Sequence, residues 1–227
     1  MATNAGNNTL KAPFYQRNYL FQAWLVISLA LVFGLALAAV QGVLGPKIEA
    51  NKINETKEKI PELVVGRQGA ENMAAHNEHL LIAPRTILVE AQGIQKPYAV
   101  YEARYPDGRS AGWVAKANGV GYADRIELLV GLAPQADKLT GVFILDQKET
   151  PGLGNKIVEP VWRDQFIDKA TDRPLEVVKG QDATGSNRVN AISGATISSR
   201  SVVAIVNTAI TDLKSPLTAQ AAKGQKE

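Results

Sequence analysis

The hydrophobic and polar positions of this chain fall into three successive patterns. The first is a run with no charge. From Asn18 to Pro46 there is no Asp, Glu, Lys or Arg, and the centre of the run reads WLVISLALVFGLALAAV, Trp24 to Val40. It exceeds the ~20 apolar residues that a helix needs to cross a bilayer. A helix also satisfies every backbone polar group within the segment. Phe14, Tyr15, Tyr19, Phe21 and Trp24 crowd its N-terminal end, where aromatic rings suit the headgroup level. The pattern predicts an N-terminal segment over 1–17 and a transmembrane helix over 18–46. A cleaved signal peptide is the competing reading, since Ala36-Leu37-Ala38 resembles a cleavage site. The uncharged run is long for the apolar region of such a peptide, which favours a retained anchor.

The second pattern begins after Pro46. KIEANKINETKEKI, Lys47 to Ile60, sets Ile48, Ile53 and Ile60 among charges and predicts a stalk helix over 47–61, stopped near Pro61. Segments rich in β-formers then follow: RTILVEA, PYAVYEARY, SAGWVAKA, RIELLVGL and LTGVFILD, separated by Gly, Pro, Asp and Asn. These predict strands with turns between them. Asp107-Gly108 in YPDGRS marks a hairpin turn. EPVWRDQFIDKA predicts a short helix and PLEVV a further strand.

The third pattern is helical. Val203, Val206, Ile210 and Leu213 are spaced three and four apart, which gives one apolar face from about Ser198 to Leu213. The polar tail 215–227 is expected to be disordered. Together these elements predict an α+β fold. One soluble domain over 62–214, a mainly antiparallel sheet flanked by helices, hangs on a single transmembrane helix.

Composition narrows the chemistry. Among 227 residues there is no cysteine, which excludes disulfides, Cys-ligated zinc, iron–sulfur clusters and thiol catalysis. The 25 basic and 22 acidic residues leave a charge of only +3, with no Lys/Arg run. A nucleic-acid reader concentrates positive charge on one face, so that function is not expected. Lys11 and Arg17 precede the apolar run, and Lys47, Lys52, Lys57 and Lys59 follow it. That balance leaves the orientation in the membrane undecided.

Two loops carry candidate chemistry. SGATISSR, Ser193 to Arg200, opens the last helix. The first turn of a helix has unpaired N–H groups and partial positive charge, and phosphate binds well there. Gly194 and Ala195 are small enough to let a ligand reach the backbone, and Ser193, Thr196, Ser198 and Ser199 add hydroxyls. An ordinary N-cap needs only one of them. The second loop, QKETPGLGNKI, Gln147 to Ile157, follows the most apolar strand. Pro151, Gly152 and Gly154 hold its backbone in an unusual path, and glycine permits close approach of a flat ligand. Thr150, Lys156 and backbone N–H groups lie within a few residues of each other. A structural Pro-Gly turn is the alternative.

ETPGLG (Glu149 to Gly154) followed by SGATISS (Ser193 to Ser199), with GVGYADRIELLVGL and GVFILDQKETPGLG upstream, resembles the FMN-binding domain family. That domain is shared by the G subunit of the Rnf electron-transport complex and the C subunit of the sodium-pumping NADH:quinone reductase (Nqr). The resemblance implies an electron-relay protein whose FMN phosphate is esterified to Thr196 by a flavin transferase. It implies that Ser193, Gly194, Ala195 and Ser198 cradle the phosphate. Glu149, Thr150, Gly152, Leu153 and Gly154 would shape the ring pocket, with Lys156 stabilising reduced flavin by charge. The cofactor carries the redox chemistry and the protein sets its position and potential. The partners implied are the other subunits of an Rnf-type membrane complex, and the soluble domain would lie on the periplasmic side of the bacterial inner membrane. In that role the chain would serve an ion-translocating oxidoreductase without being catalytic alone. Asn190 stands where the family often has Asp, and Asn155 where GLGDKI is common.

Other signals are weaker. Trp113, Tyr122 and Trp162 suit ring stacking or plain core. His76 and His79 suit a solvated face better than a metal site. Gly119 and Gly121 do not complete a G-x-G-x-x-G fingerprint. Three other functions compete: the C subunit of Nqr, an anchored module that binds a phosphorylated ligand non-covalently, and a scaffold whose Gly and Ser loops are only structural.

Overall fold

The computed structural model describes residues 19–91, 93–180 and 187–224. The expected segment 1–17, with Phe14 and Tyr15, lies outside them. The chain divides into two compact units, Met1–Asn51 and Lys52–Glu227. The first helical element, α1 (Tyr19–Ala75), is broken at Gly66 (φ +77°, ψ 166°) and contributes residues to both units.

In the first unit the helix is long and apolar enough to cross a membrane. Trp24, Leu29, Phe33, Leu37 and Val40 all project outward. The hydroxyl of Ser28 donates to Trp24 O at 2.8 Å, so this polar group is satisfied inside the helix, as an apolar surrounding requires.

The second unit is a five-stranded antiparallel meander in the order β1 (Leu81–Ala91), β2 (Ile94–Arg104), β3 (Ser110–Val120), β4 (Arg125–Leu132) and β5 (Leu139–Asp146). Each strand pairs with its sequence neighbour, so short turns suffice. The β2–β3 turn closes through Gly108 N–H to Tyr105 O at 2.9 Å. Asp107 Oδ1 accepts the Arg109 N–H at 3.0 Å.

Alternation along β3 and β4 sorts side chains onto two apolar faces. Trp113, Ala115 and Ala117, with Leu128, Val130 and Leu132, pack on one face. That face is covered by the last helix, α3 (Thr196–Gly224), through Val202, Val206, Ala209, Leu213 and Leu217. Trp162 and Phe166, from α2 (Pro160–Arg163) and the 3-10 turn Asp164–Phe166, complete this layer. Val114 and Leu129 point the other way and meet Ile60, Leu63 and Val64 of α1. The sheet is thus the middle of three layers, and the apolar runs of β3 and β4 follow from burial on both sides. Two short parallel strands, β6 (Glu176–Val178) and β7 (Arg188–Asn190), pair with each other, β6 lying beside α3 and β7 beside the 3-10 turn Asp164–Phe166.

Two boundaries correct the sequence reading. The stalk expected over 47–61 is not separate from the domain. From Lys52 onward α1 belongs to the second unit, because Thr56 and Ile60 are buried and Lys52 Nζ bonds Asp146 Oδ2 at 2.9 Å. The tail expected to be disordered from 215 is helical through Gly224. Leu217, one turn beyond Leu213, is fully buried, and its packing outweighs the backbone bond that Pro216 forfeits.

Truncating either cover should therefore cost stability. Ile60→Ala and Leu217→Ala should each lose ~2–5 kcal/mol, read as a lower denaturation midpoint of the full chain in detergent. A free stalk or a disordered tail would leave the midpoint unchanged.

Candidate functional site

The site is assembled at one end of the meander. Antiparallel register sets Val120 beside Arg125 and Glu127 beside Asp146. The segment leaving β5 therefore emerges next to the β3–β4 turn, which closes through Gly121 N–H to Asp124 O at 2.8 Å. The backbone N–H of Arg125, followed by Lys148, holds the Asp124 carboxyl below the usual range.

Glu149 is buried at this junction. Its own N–H donates to Gln147 Oε1 at 2.7 Å. Oε1 accepts the N–H groups of Tyr122 at 2.9 Å and Ala123 at 3.1 Å. Oε2 accepts the Ser198 hydroxyl at 2.5 Å. One carboxylate thus joins the β3–β4 turn, the post-β5 loop and α3. Charge-assisted bonds of this kind offset the desolvation of a buried carboxylate.

The loop after Glu149 turns back on itself. Thr150 O accepts the N–H groups of Leu153 and Asn155, each at 3.2 Å, and the chain enters a 3-10 turn, Gly154–Val158. Gly154 faces α3 so closely that a Cβ would sit 2.7 Å from Ser198 Oγ and 2.9 Å from Glu149 Cβ. Only glycine fits there. Gly194 is required for a different reason: its φ is +79°, and a Cβ would lie 2.9 Å from Leu153 Cδ2.

The start of α3 is stitched locally. Ser199 Oγ accepts the Ile192 N–H and donates to Ala195 O, both at 3.0 Å. Ser199 N–H bonds Ala195 O at 3.1 Å, so the N–H groups of Thr196, Ile197 and Ser198 form the open first turn.

Between loop and helix lies a cavity of about 500 Å³, lined by Tyr122, Thr150, Leu153, Gly154, Gly194, Ala195, Thr196, Ile197 and Ser198. Seven of the eleven residues singled out in the sequence meet there. Ser193, Gly152 and Lys156 are exposed outside the lining, and Glu149 stands behind it. The four hydroxyls of the motif have separate fates. Ser198 serves Glu149, Ser199 serves the helix start, and Ser193 is exposed. Thr196 is half-buried on the cavity wall, and its hydroxyl has no hydrogen-bond partner among the described residues.

Of the three candidate aromatics, only Tyr122 reaches the cavity. Trp113 and Trp162 are core residues whose indole N–H groups donate to Pro134 O at 3.1 Å and Asn190 O at 2.8 Å. His76 Nδ1 lies 2.8 Å from Asn72 O, at the end of α1. Asn190 is held by its backbone, its N–H donating to Gln165 Oε1 at 2.8 Å. Sequence reasoning does not select Ile197, whose only signal is an apolar residue left facing outward within the hydroxyl-rich motif.

Comparison with known proteins agrees with this geometry. Residues 121–211 match the FMN-binding domain model, a span that runs from the β3–β4 turn into α3. The chain is 33% identical over 178 residues to the G subunit of the Na⁺-translocating ferredoxin:NAD⁺ oxidoreductase complex of Acetobacterium woodii, covering 77% of this chain and 84% of that protein. It is 36% identical over 110 residues to the G subunit of the ion-translocating oxidoreductase complex of Methanosarcina acetivorans, covering 48% of this chain and 55% of that protein. In fold it matches the crystal structure of Shewanella oneidensis NqrC, with a TM-score of 0.59 at 16% identity over 75% of this chain and 99% of that one. The C subunit of the Na⁺-translocating NADH-quinone reductase from Parabacteroides distasonis gives a TM-score of 0.53 at 20% identity, covering 75% of this chain and 94% of that one. Motif, fold and overall identity converge: the chain belongs to the family of G subunits of ion-translocating oxidoreductase complexes and carries an FMN-binding domain.

Proposed function

We propose that this chain is the electron-relay subunit of an Rnf-type, ferredoxin- and NAD-linked complex, with FMN joined through its phosphate to Thr196. The observation that carries the reading is the position of Thr196. Of the motif's hydroxyls it alone lines the cavity without a partner among the described residues. It also sits in the open first turn of a 29-residue helix, where backbone N–H groups and the helix dipole favour an anion.

The residues present fit the group. Gly194 and Ala195 leave room beside the backbone, and Tyr122, Leu153 and Ile197 offer apolar surface to a flat ring. FMN would supply the redox chemistry. The open first turn of α3 would hold the phosphate, Thr150, Leu153 and Gly154 would border the flavin, and Lys156, exposed outside the lining, would contribute only its charge. Attachment through Thr196 suits a relay, because a carrier that keeps its cofactor needs no substrate pocket of its own. On this reading a flavin transferase installs the cofactor, and the anchor leaves the domain on the periplasmic side of the inner membrane. The other subunits of the complex supply and remove the electrons. The equivalent role in an Nqr complex, that of its C subunit, shares this chemistry. A non-covalent phosphate-binding module would need Thr196 only as one donor among several.

Thr196→Ala separates these readings. Produced with a flavin transferase, the parent chain should keep a fluorescent band with one added FMN mass after denaturation, and Thr196→Ala should lose it. A non-covalent module would show no such band in either protein. Glu149→Ala tests the assembly of the site. It strips acceptors from Tyr122, Ala123 and Ser198, should cost about 3 kcal/mol on unfolding, and should lower flavin loading several-fold. Equal loading and stability would mean that the three segments hold their places without this carboxylate.

A further inference from the structure

A second cavity, of about 550 Å³, lies at the other end of the domain. The sheet supplies one wall. Glu102, opposite Trp113 in register, and Arg104, opposite Ser110, line it together with the β2–β3 turn. Gln220 and Ala221, near the end of α3, supply another wall. At a rise of ~1.5 Å per residue, Gln220 stands roughly 35 Å along α3 from Thr196. This cavity is therefore separate from the one at the helix start.

The charges that line it are already paired with protein groups. Glu102 is 3% exposed. Its Oε1 takes Nε and Nη2 of Arg104 at 2.7 and 2.6 Å, and its Oε2 lies 2.8 Å from Arg85 Nη2. Asp107 Oδ2 accepts the Arg109 Nε–H at 2.7 Å. A free anion would meet Glu102, Asp107 and the negative end of the α3 dipole, while a free cation would meet Arg104 and Arg109. The groups left over are neutral. Ser110 Oγ and Gln220 Oε1 are buried and have no hydrogen-bond partner among the described residues. The last carbonyls of α3 also lack intrahelical donors. Native folds rarely leave such atoms unserved.

We propose that this cavity binds an uncharged saccharide. A sugar hydroxyl both donates and accepts, so one kind of ligand group answers the Ser110 hydroxyl and the Arg104 and Arg109 N–H groups on one side, and Gln220 Oε1 and the two carboxylates on the other. It does so without adding charge to a lining whose charges balance. Trp113 and Pro134 give the C–H surface of a sugar ring an apolar wall. The volume falls within the ~300–1,000 Å³ of small-molecule sites. The ion pairs fix the lining side chains before the ligand arrives, which lowers the ordering cost of binding. The inference rests on this cavity alone and does not depend on the flavin reading.

The test titrates the full chain with maltose and with N,N′-diacetylchitobiose by isothermal calorimetry, in a zwitterionic detergent without a sugar headgroup. Glycylglycine and inorganic phosphate represent other ligand classes. The expected result is saturable binding of at least one disaccharide and none of the dipeptide or phosphate. Ser110→Ala/Gln220→Leu should weaken binding by about tenfold or more, as two lost hydrogen bonds require. Its thermal midpoint should be no lower than the parent's, because removing oxygens that have no protein partner strands no other group. Ala221→Trp, which fills the cavity from the α3 wall, should abolish binding. No saturable signal from either sugar would overturn the proposal, leaving water as the occupant. So would saturable binding of phosphate or dipeptide instead, sugar binding that survives both variants, or a double variant less stable than the parent.

Discussion

The site depends on one buried carboxylate. Glu149 accepts hydrogen bonds from two directions: the backbone of the β3–β4 turn on one oxygen and the Ser198 hydroxyl on the other. None of these segments is adjacent in sequence. Without a shared acceptor, Tyr122 and Ala123 would be left with unsatisfied N–H groups, and the Gly154 loop would have no fixed distance from α3. A charged acceptor suits this task, because its two oxygens can serve separate donors with strong, short bonds.

That junction is held by a sheet buried on both sides. α3 covers one face and the domain part of α1 the other, so β3, β4 and β5 cannot shift without disturbing two packed layers. Residues placed on such elements keep their geometry better than residues on free loops. Tyr98 of β2 adds a lock between the sheet and α3. Its hydroxyl donates to Asp212 of α3 at 2.5 Å, and burial together with that carboxylate pushes the phenol well above its ordinary range. It therefore stays a proton donor to α3 throughout neutral pH.

Much of this is legible in the sequence, for identifiable reasons. RIELLVGL and LTGVFILD coincide with β4 and β5 because continuous apolar runs bounded by turn residues suit doubly buried strands. The pattern shortens β1 because Pro84 interrupts it, yet an edge strand with one free side tolerates proline. The tail reads as disordered because local signals, Pro216 and a polar composition, hide the packing of Leu217. The two glycine- and serine-rich loops are legible as partners, and they do meet. The division of labour among the hydroxyls is not legible. Only the fold shows that Ser198 faces Glu149 while Thr196 faces the cavity, since each step along a helix is a rotation of roughly 100°.

The arrangement around Thr196 also bears on the order of events in biogenesis. Its surroundings exist only after the β3–β4 turn, the post-β5 loop and the last helix have come together around Glu149. An extended, newly made chain presents the same letters but not the same shape. An enzyme that modifies this threonine by recognising its surroundings would therefore act as an inspector of the finished domain. Chains that had failed to close the Glu149 junction would be left without cofactor, and the colour of the protein would report the quality of its folding.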